Sequence, residues 1–212
     1  MNWLTVSLLA ICGAAGLTGC ASTRARQPVA QSACCGFLAS PDAPSGKSFY
    51  DLDSLWETDT GERARLAAFQ GRPQIVAMFF SSCHVACPVT IEKLKEIESS
   101  LPKETRSQVH FLLISFDPTG DTPEVLRSFR KAEQLSQRWT LLRGSDDSTR
   151  NVASLLGISF GRENYRLAHS NQILLLDAQG NILFRLEGLH TSVNPLVKAL
   201  RSACSSQLAA AP

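Results

Sequence analysis

The sequence predicts an α/β protein built on a mixed central sheet, and three observations predict it. Short apolar runs of strand length alternate with amphipathic stretches of helix length through most of the chain. Two late apolar runs are joined by a turn-rich tetrapeptide and followed by one more helical stretch, which adds an antiparallel pair to strands otherwise separated by helices. A length of 212 residues, 44% of them hydrophobic, suffices for one domain core plus extra segments.

The elements follow in chain order. Phe49 to Leu66 alternates weakly around the turn signal Asp59-Thr60-Gly61 and reads as a short N-terminal hairpin, leading into a turn of helix at Leu66 to Phe69. Gln74 to Phe80 is apolar, bounded by Gly71-Arg72-Pro73 and Ser81-Ser82, and reads as a buried strand. Pro88 to Leu101 places Val89, Ile91, Leu94, Ile97 and Leu101 among Glu and Lys, an amphipathic helix with Pro88 in its first turn. Val109 to Phe116 is a second buried strand ending at Asp117-Pro118. Thr122 as N-cap and Pro123 at the first helical position open a helix that runs to about Gln137. Trp139 to Leu142 is a third strand, and Asp146 to Leu156 a short helix stopped by Gly157. Gln172 to Leu176 and Asn181 to Leu186, joined by Asp177-Ala178-Gln179-Gly180, form a hairpin. Thr191 to Ser202 closes the domain with a helix, leaving 205–212 as a disordered tail.

The N-terminus carries an address. Trp3 to Gly19 is apolar or small, holds no charge and ends in Leu17-Thr18-Gly19-Cys20, which resembles a bacterial lipoprotein signal with its lipobox. That resemblance implies that 1–19 is removed and Cys20 becomes the acylated first residue. A retained anchor fits less well, because the apolar stretch falls short of the roughly 20 residues that span a bilayer. Residues 21–48, rich in Ser, Ala, Pro, Gln and Gly, read as a flexible tether behind the lipidated Cys20. The expected location is therefore extracytoplasmic and membrane-anchored, in a bacterial periplasm or at a cell surface. With 21 basic against 19 acidic residues and no basic block, the chain offers no nucleic-acid surface.

The chemistry concentrates in Cys83-His84-Val85-Ala86-Cys87-Pro88, at the junction of a buried strand and a helix. A helix N-terminus favours thiolate over thiol, so this pair either exchanges disulfides or holds a soft metal. A disulfide staple across so short a loop would add little stability. In an oxidising compartment the cysteines left after Cys12 and Cys20 are Cys34, Cys35, Cys83, Cys87 and Cys204. A bond between the neighbours Cys34 and Cys35 would be strained, so they either bind metal transiently or send one member to Cys204.

The order βαβαβαββα with paired thiols after the first central strand resembles the thioredoxin fold with one strand-helix insertion. In that fold the loop before the final hairpin faces the cysteines; here it is Arg166-Leu167-Ala168-His169-Ser170, with His169 where thioredoxins carry a cis-proline. Two thiolates and one imidazole suit copper, with Cu(I) favoured by sulfur and Cu(II) helped by nitrogen. A closed structural zinc site would need a fourth protein ligand. His84 is an alternative ligand or proton acceptor, or a solvent-facing neighbour; the last is the preferred reading. Turn formation and helix capping account for Asp117 and Asp121 without ligation. His110 and His190 lie at element edges, and Trp139 reads as packing.

Three motifs together look like the Sco/SenC family: Phe79 to Pro88; Ser115-Phe116-Asp117-Pro118 with Asp121-Thr122-Pro123-Glu124; and Ala168-His169-Ser170 followed by Leu176 to Gly180. The resemblance covers about Phe49 to Cys204, and it departs where the family commonly has proline and this chain has His84. It implies a tethered copper metallochaperone that helps assemble the copper site of cytochrome c oxidase, with Cys83, Cys87 and His169 as ligands. The implied partners are a copper donor protein and a copper-accepting oxidase subunit or other cuproenzyme. Asp117 and Asp121 resemble family positions near the copper loop. A second reading is a thiol-disulfide oxidoreductase that keeps a partner's copper-site cysteines reduced through Cys83 and Cys87. A third is a redox-sensing interaction protein.

Overall fold

The computed structural model describes residues 46–163 and 166–210. The predicted signal peptide, Cys20, and the tether up to residue 45, including Cys34 and Cys35, lie outside them, as do residues 211–212.

The apolar runs build one seven-stranded sheet from β1 (Leu55–Thr58), β2 (Arg63–Arg65), β3 (Gln74–Phe79), β4 (His110–Ser115), β5 (Trp139–Arg143), β8 (Gln172–Leu176) and β9 (Ile182–Glu187). Its order is β2-β1-β5-β4-β3-β8-β9, with β4 parallel to both β3 and β5 and every other pair antiparallel. The sheet is therefore mixed, as expected, and the arrangement is thioredoxin-like. Every residue of β3 is buried, which is why its sequence reads as an unbroken apolar run rather than an alternation. Ile75, Ala77 and Phe79 point into one core with Leu94, Ile97, Leu126, Leu196 and Leu200; Val76 and Met78 point into the other with Phe49, Trp56 and Val152. The helices supplying these layers are α1 (Ala86–Ser100), α3 (Pro123–Ala132), α4 (Asp146–Leu155) and α5 (Asn194–Ala210), with a short α2 (Lys103–Gln108) after α1. Among the described residues no helix is long and apolar enough to cross a membrane.

Several boundaries depart from the sequence reading. α1 begins at Ala86, so Cys87 is inside its first turn; Pro88 is still free of penalty there, because the first four helical N–H groups have no intrahelical partner. α3 stops at Ala132, short of Gln137. Gln134 adopts φ 54°, its N–H reaches Lys131 O at 3.2 Å, and Leu135 N–H reaches Arg130 O at 3.0 Å before Leu135 turns into the core. This is a Schellman ending with glutamine in the left-handed position usually held by glycine, so no stop signal was visible. α5 continues past Ser202 to Ala210, so 205–210 is helical where a disordered tail was expected. Phe49–Asp51 is a single 3-10 turn capped by Ser48, not strand.

The largest correction concerns the loop at 166–170. It is not a loop: β7 (Arg166–His169) pairs antiparallel with β6 (Phe160–Glu163) as a separate two-stranded ribbon, with His169 opposite Phe160.

Candidate metal centre

Both thiols are placed by the β3–α1 junction. After β3 the chain turns so that Cys83 N–H bonds Phe80 O at 3.1 Å, and α1 then starts with its N-terminus aimed back at Cys83, whose Sγ accepts the Cys87 N–H at 3.3 Å. Cys83 is half-buried, while Cys87 is 2% exposed and packs in the core. His169 arrives from the end of β7, with Nε2 3.9 Å from Cys87 Sγ. The donor atoms of Cys83, Cys87 and His169 all lie within 4.8 Å of one another.

The imidazole is oriented for ligation. Its Nδ1 lies 3.2 Å from Ser170 O; a carbonyl only accepts, so Nδ1 carries the hydrogen and Nε2 turns a lone pair toward the thiols. Burial holds the His169 pKa below the ordinary imidazole value, against an opposing pull from the Ser170 carbonyl, which keeps the ring in its neutral, ligating form.

The two thiols are unequal. Burial pushes Cys83 up, but N–H groups of Cys87, Val85 and Ala86 and the Cys87 thiol together outweigh it, and the net pKa falls below the ordinary thiol value. Cys87 is pushed up to about 12, mainly by burial and further by the neighbouring Cys83 sulfur. Cys83 is thus the accessible, more acidic sulfur and Cys87 the buried one.

Asp121 holds the junction in place. It is 2% exposed; its carboxylate accepts from the Ser81 N–H at 3.2 Å and from the hydroxyls of Ser81 and Ser115. This corrects the capping role expected for it, since Thr122 caps α3 by itself at 3.4 Å from Val125 N–H. Asp121 ties the segment before Cys83 to the end of β4. Asp117 forms the turn, accepting Asp121 N–H on its carbonyl at 2.8 Å, and Ser115 Oγ accepts Asp117 N–H at 2.9 Å. His84 is exposed and outside the three-donor group. Cys204 is a free thiol buried in the core; its suggested partners Cys34 and Cys35 lie outside the described residues.

Sequence reasoning missed Ser81, Ser115, Phe80 and Phe116 as neighbours of the site. All four sit at the C-terminal ends of the parallel strands β3 and β4, where open α/β sheets place ligands, and that rule was the available signal. The donor set is soft and three-membered, with no fourth Cys, His, Asp or Glu donor joining it among the described residues. This fits copper and falls one short of a closed structural zinc site.

Fold and site together define a thioredoxin-like domain carrying a two-thiol, one-imidazole metal centre. Residues 50–205 match the family described as SCO1/SenC, and the chain belongs to that family. It is 28% identical over 130 residues to an SCO2-like protein of Rickettsia felis, a stretch that makes up 58% of this chain and 62% of that relative. The chain thus spans less than two thirds of that relative's length. Its fold is similar to that of Arabidopsis thaliana ScoI with copper bound, at a TM-score of 0.60 and 22% identity over 70% of this chain and 96% of that one. A SCO1/SenC family lipoprotein of Bacillus anthracis is likewise similar, at a TM-score of 0.65 and 20% identity over 71% and 92% of the two chains.

Proposed function

We propose that this chain is a membrane-tethered, extracytoplasmic copper metallochaperone that helps assemble the copper site of cytochrome c oxidase. The observation that carries the reading is the convergence of Cys83 Sγ, Cys87 Sγ and a lone-pair-bearing His169 Nε2 within 4.8 Å. Membership of the SCO1/SenC family and the copper-bound ScoI relative support copper as the cargo. The lipobox-like Leu17-Thr18-Gly19-Cys20 and the family lipoprotein of Bacillus anthracis support the lipid tether.

In this reading Cys87 and His169 form the inner wall of the site and Cys83 its exposed side. A donor protein's thiol hands copper first to Cys83; the core-packed Cys87 and the oriented imidazole complete the set. Release reverses the order, with thiols of the accepting subunit displacing Cys83 first. Three protein ligands leave one position for an incoming donor at each exchange. The test is to titrate the full chain with copper under reducing conditions, then mix it with the metal-free copper subunit of an oxidase. One equivalent bound and passed on is expected; no binding, or copper that stays behind, would overturn the reading.

A second reading is favoured by the inequality of the thiols, an acidic, half-buried Cys83 beside a buried Cys87. Cys83 thiolate attacks a partner's disulfide, and Cys87 then displaces the mixed disulfide. The pair ends oxidised and the partner's two sulfurs end as thiols, with two electrons and two protons transferred. Loss of such exchange in Cys83→Ser with retention in His169→Ala is the expected signature, and equal exchange in all three chains would refute it.

A further inference from the structure

The His169 imidazole is gripped by aromatic rings from the residues just past the ends of β3 and β4. The Phe116 ring lies 4.7 Å from it at a tilt of 34°, and the Phe80 ring meets it edge-on at 5.8 Å and 83°. Phe160, which faces His169 across the β6–β7 ribbon, packs its ring 5.0 Å from Phe116. Phe116 is 3% exposed, and its N–H bonds Phe79 O at 2.7 Å, which fixes it to the end of the strand that leads to Cys83. Neither ring brings a donor atom to the site.

We propose that Phe116 and Phe80 are positioning residues, clamping the His169 imidazole between the ends of β4 and β3 so that Nε2 faces the two thiols before any metal arrives. The clamp rests on the copper reading above and deepens it. Cu(I) draws most of its affinity from the two thiolates, whereas Cu(II) depends more on the nitrogen donor. A clamp that pre-places the nitrogen therefore acts on Cu(II) more than on Cu(I). Ring contacts of this kind shift an equilibrium by roughly two- to tenfold. A residue that only filled the core would change both affinities together or neither.

The test uses the full chain with Phe116→Leu, which keeps apolar bulk, and with Phe80→Leu, whose partly buried site is more forgiving of folding. In the metal-free protein, nitrogen-15 NMR of His169 is expected to show one Nδ1–H tautomer, and averaged tautomers in the variants. In competition titrations, Cu(II) affinity is expected to fall about fivefold and Cu(I) affinity less than about twofold. With Cu(I) unchanged, fivefold corresponds to a rise of about 40 mV in the copper potential. An unchanged tautomer with an unchanged Cu(II)/Cu(I) affinity ratio in both variants, or parallel loss of both affinities, would overturn the clamp. Failure of the unsubstituted chain to bind copper would overturn the copper reading instead, and the imidazole signals of the metal-free variants would still decide the clamp.

Discussion

Replacing Asp121 with alanine removes the one carboxylate that joins the Cys83 junction to β4. The carboxylate takes two hydroxyl hydrogen bonds, from Ser81 and Ser115, and the Ser81 backbone N–H. Each such bond to a charged acceptor contributes about 1.5–3 kcal/mol net, and a buried donor left without a partner costs about 1–3 kcal/mol. The hydroxyls can rotate toward other acceptors, but the amide cannot. Burial also raises the Asp121 pKa, so part of the gain is already offset by desolvation. The balance is a loss of about 3–4 kcal/mol in Asp121→Ala, or roughly 6–16 °C in Tm for a domain of this size. Asp121→Asn, which keeps the shape and one carbonyl acceptor, should lose about half as much. Urea unfolding of the full chain followed by circular dichroism measures both. A loss below about 1 kcal/mol in Asp121→Ala would refute the idea that this buried carboxylate organises the junction.

Three further outcomes are expected. Gln134→Gly relieves the positive φ at the end of α3 and should stabilise by about 0.5–1 kcal/mol, read as a Tm rise of roughly 1–4 °C; no rise would deny the strain. His110 is held neutral with a pKa of about 4 by burial and by Arg72 and Arg130, so its contribution to stability is complete above the unfolded value near 6.5 and is lost as pH falls toward 4. His110→Gln should flatten roughly 2 kcal/mol of that dependence in denaturant titrations at pH 4 and 7, and an unchanged slope would count against it. Iodoacetamide at pH 7 should modify Cys83 at least about tenfold faster than Cys87 or Cys204, as mapped by mass spectrometry; equal rates would contradict the inequality of the thiols.

The parts of the fold that were legible in the sequence are those where one physical cause dominates. β3 and β4 are buried on both faces, so nothing but apolar run and bounding turns was needed to see them. Thr122-Pro123 marks the start of α3 by hydrogen-bond chemistry local to the chain. The end of α3 was not legible, because Gln134 enters the left-handed region to let Leu135 reach the core, a tertiary reason with no residue-level mark. The β6–β7 ribbon escaped for a related cause: it stands apart from the main sheet, and its segments lack the apolar alternation of a half-buried strand. At the site, the thiol pair could be located from spacing and helix onset, and His169 from the segment that faces the cysteines in thioredoxin-like folds. Asp121 was misread as a cap because sequence shows a carboxylate next to a helix start but not the two serines, from β4 and the segment after β3, that converge on it.

The central claim is that copper sits on two sulfurs and one nitrogen supplied by Cys83, Cys87 and His169. X-ray absorption at the copper edge of the Cu(I)-loaded full chain measures that set directly. Two sulfur scatterers and one imidazole nitrogen per copper are predicted, with the nitrogen lost in His169→Ala and one sulfur lost in Cys83→Ser. A spectrum dominated by oxygen or nitrogen, or one unchanged by either substitution, would contradict the account.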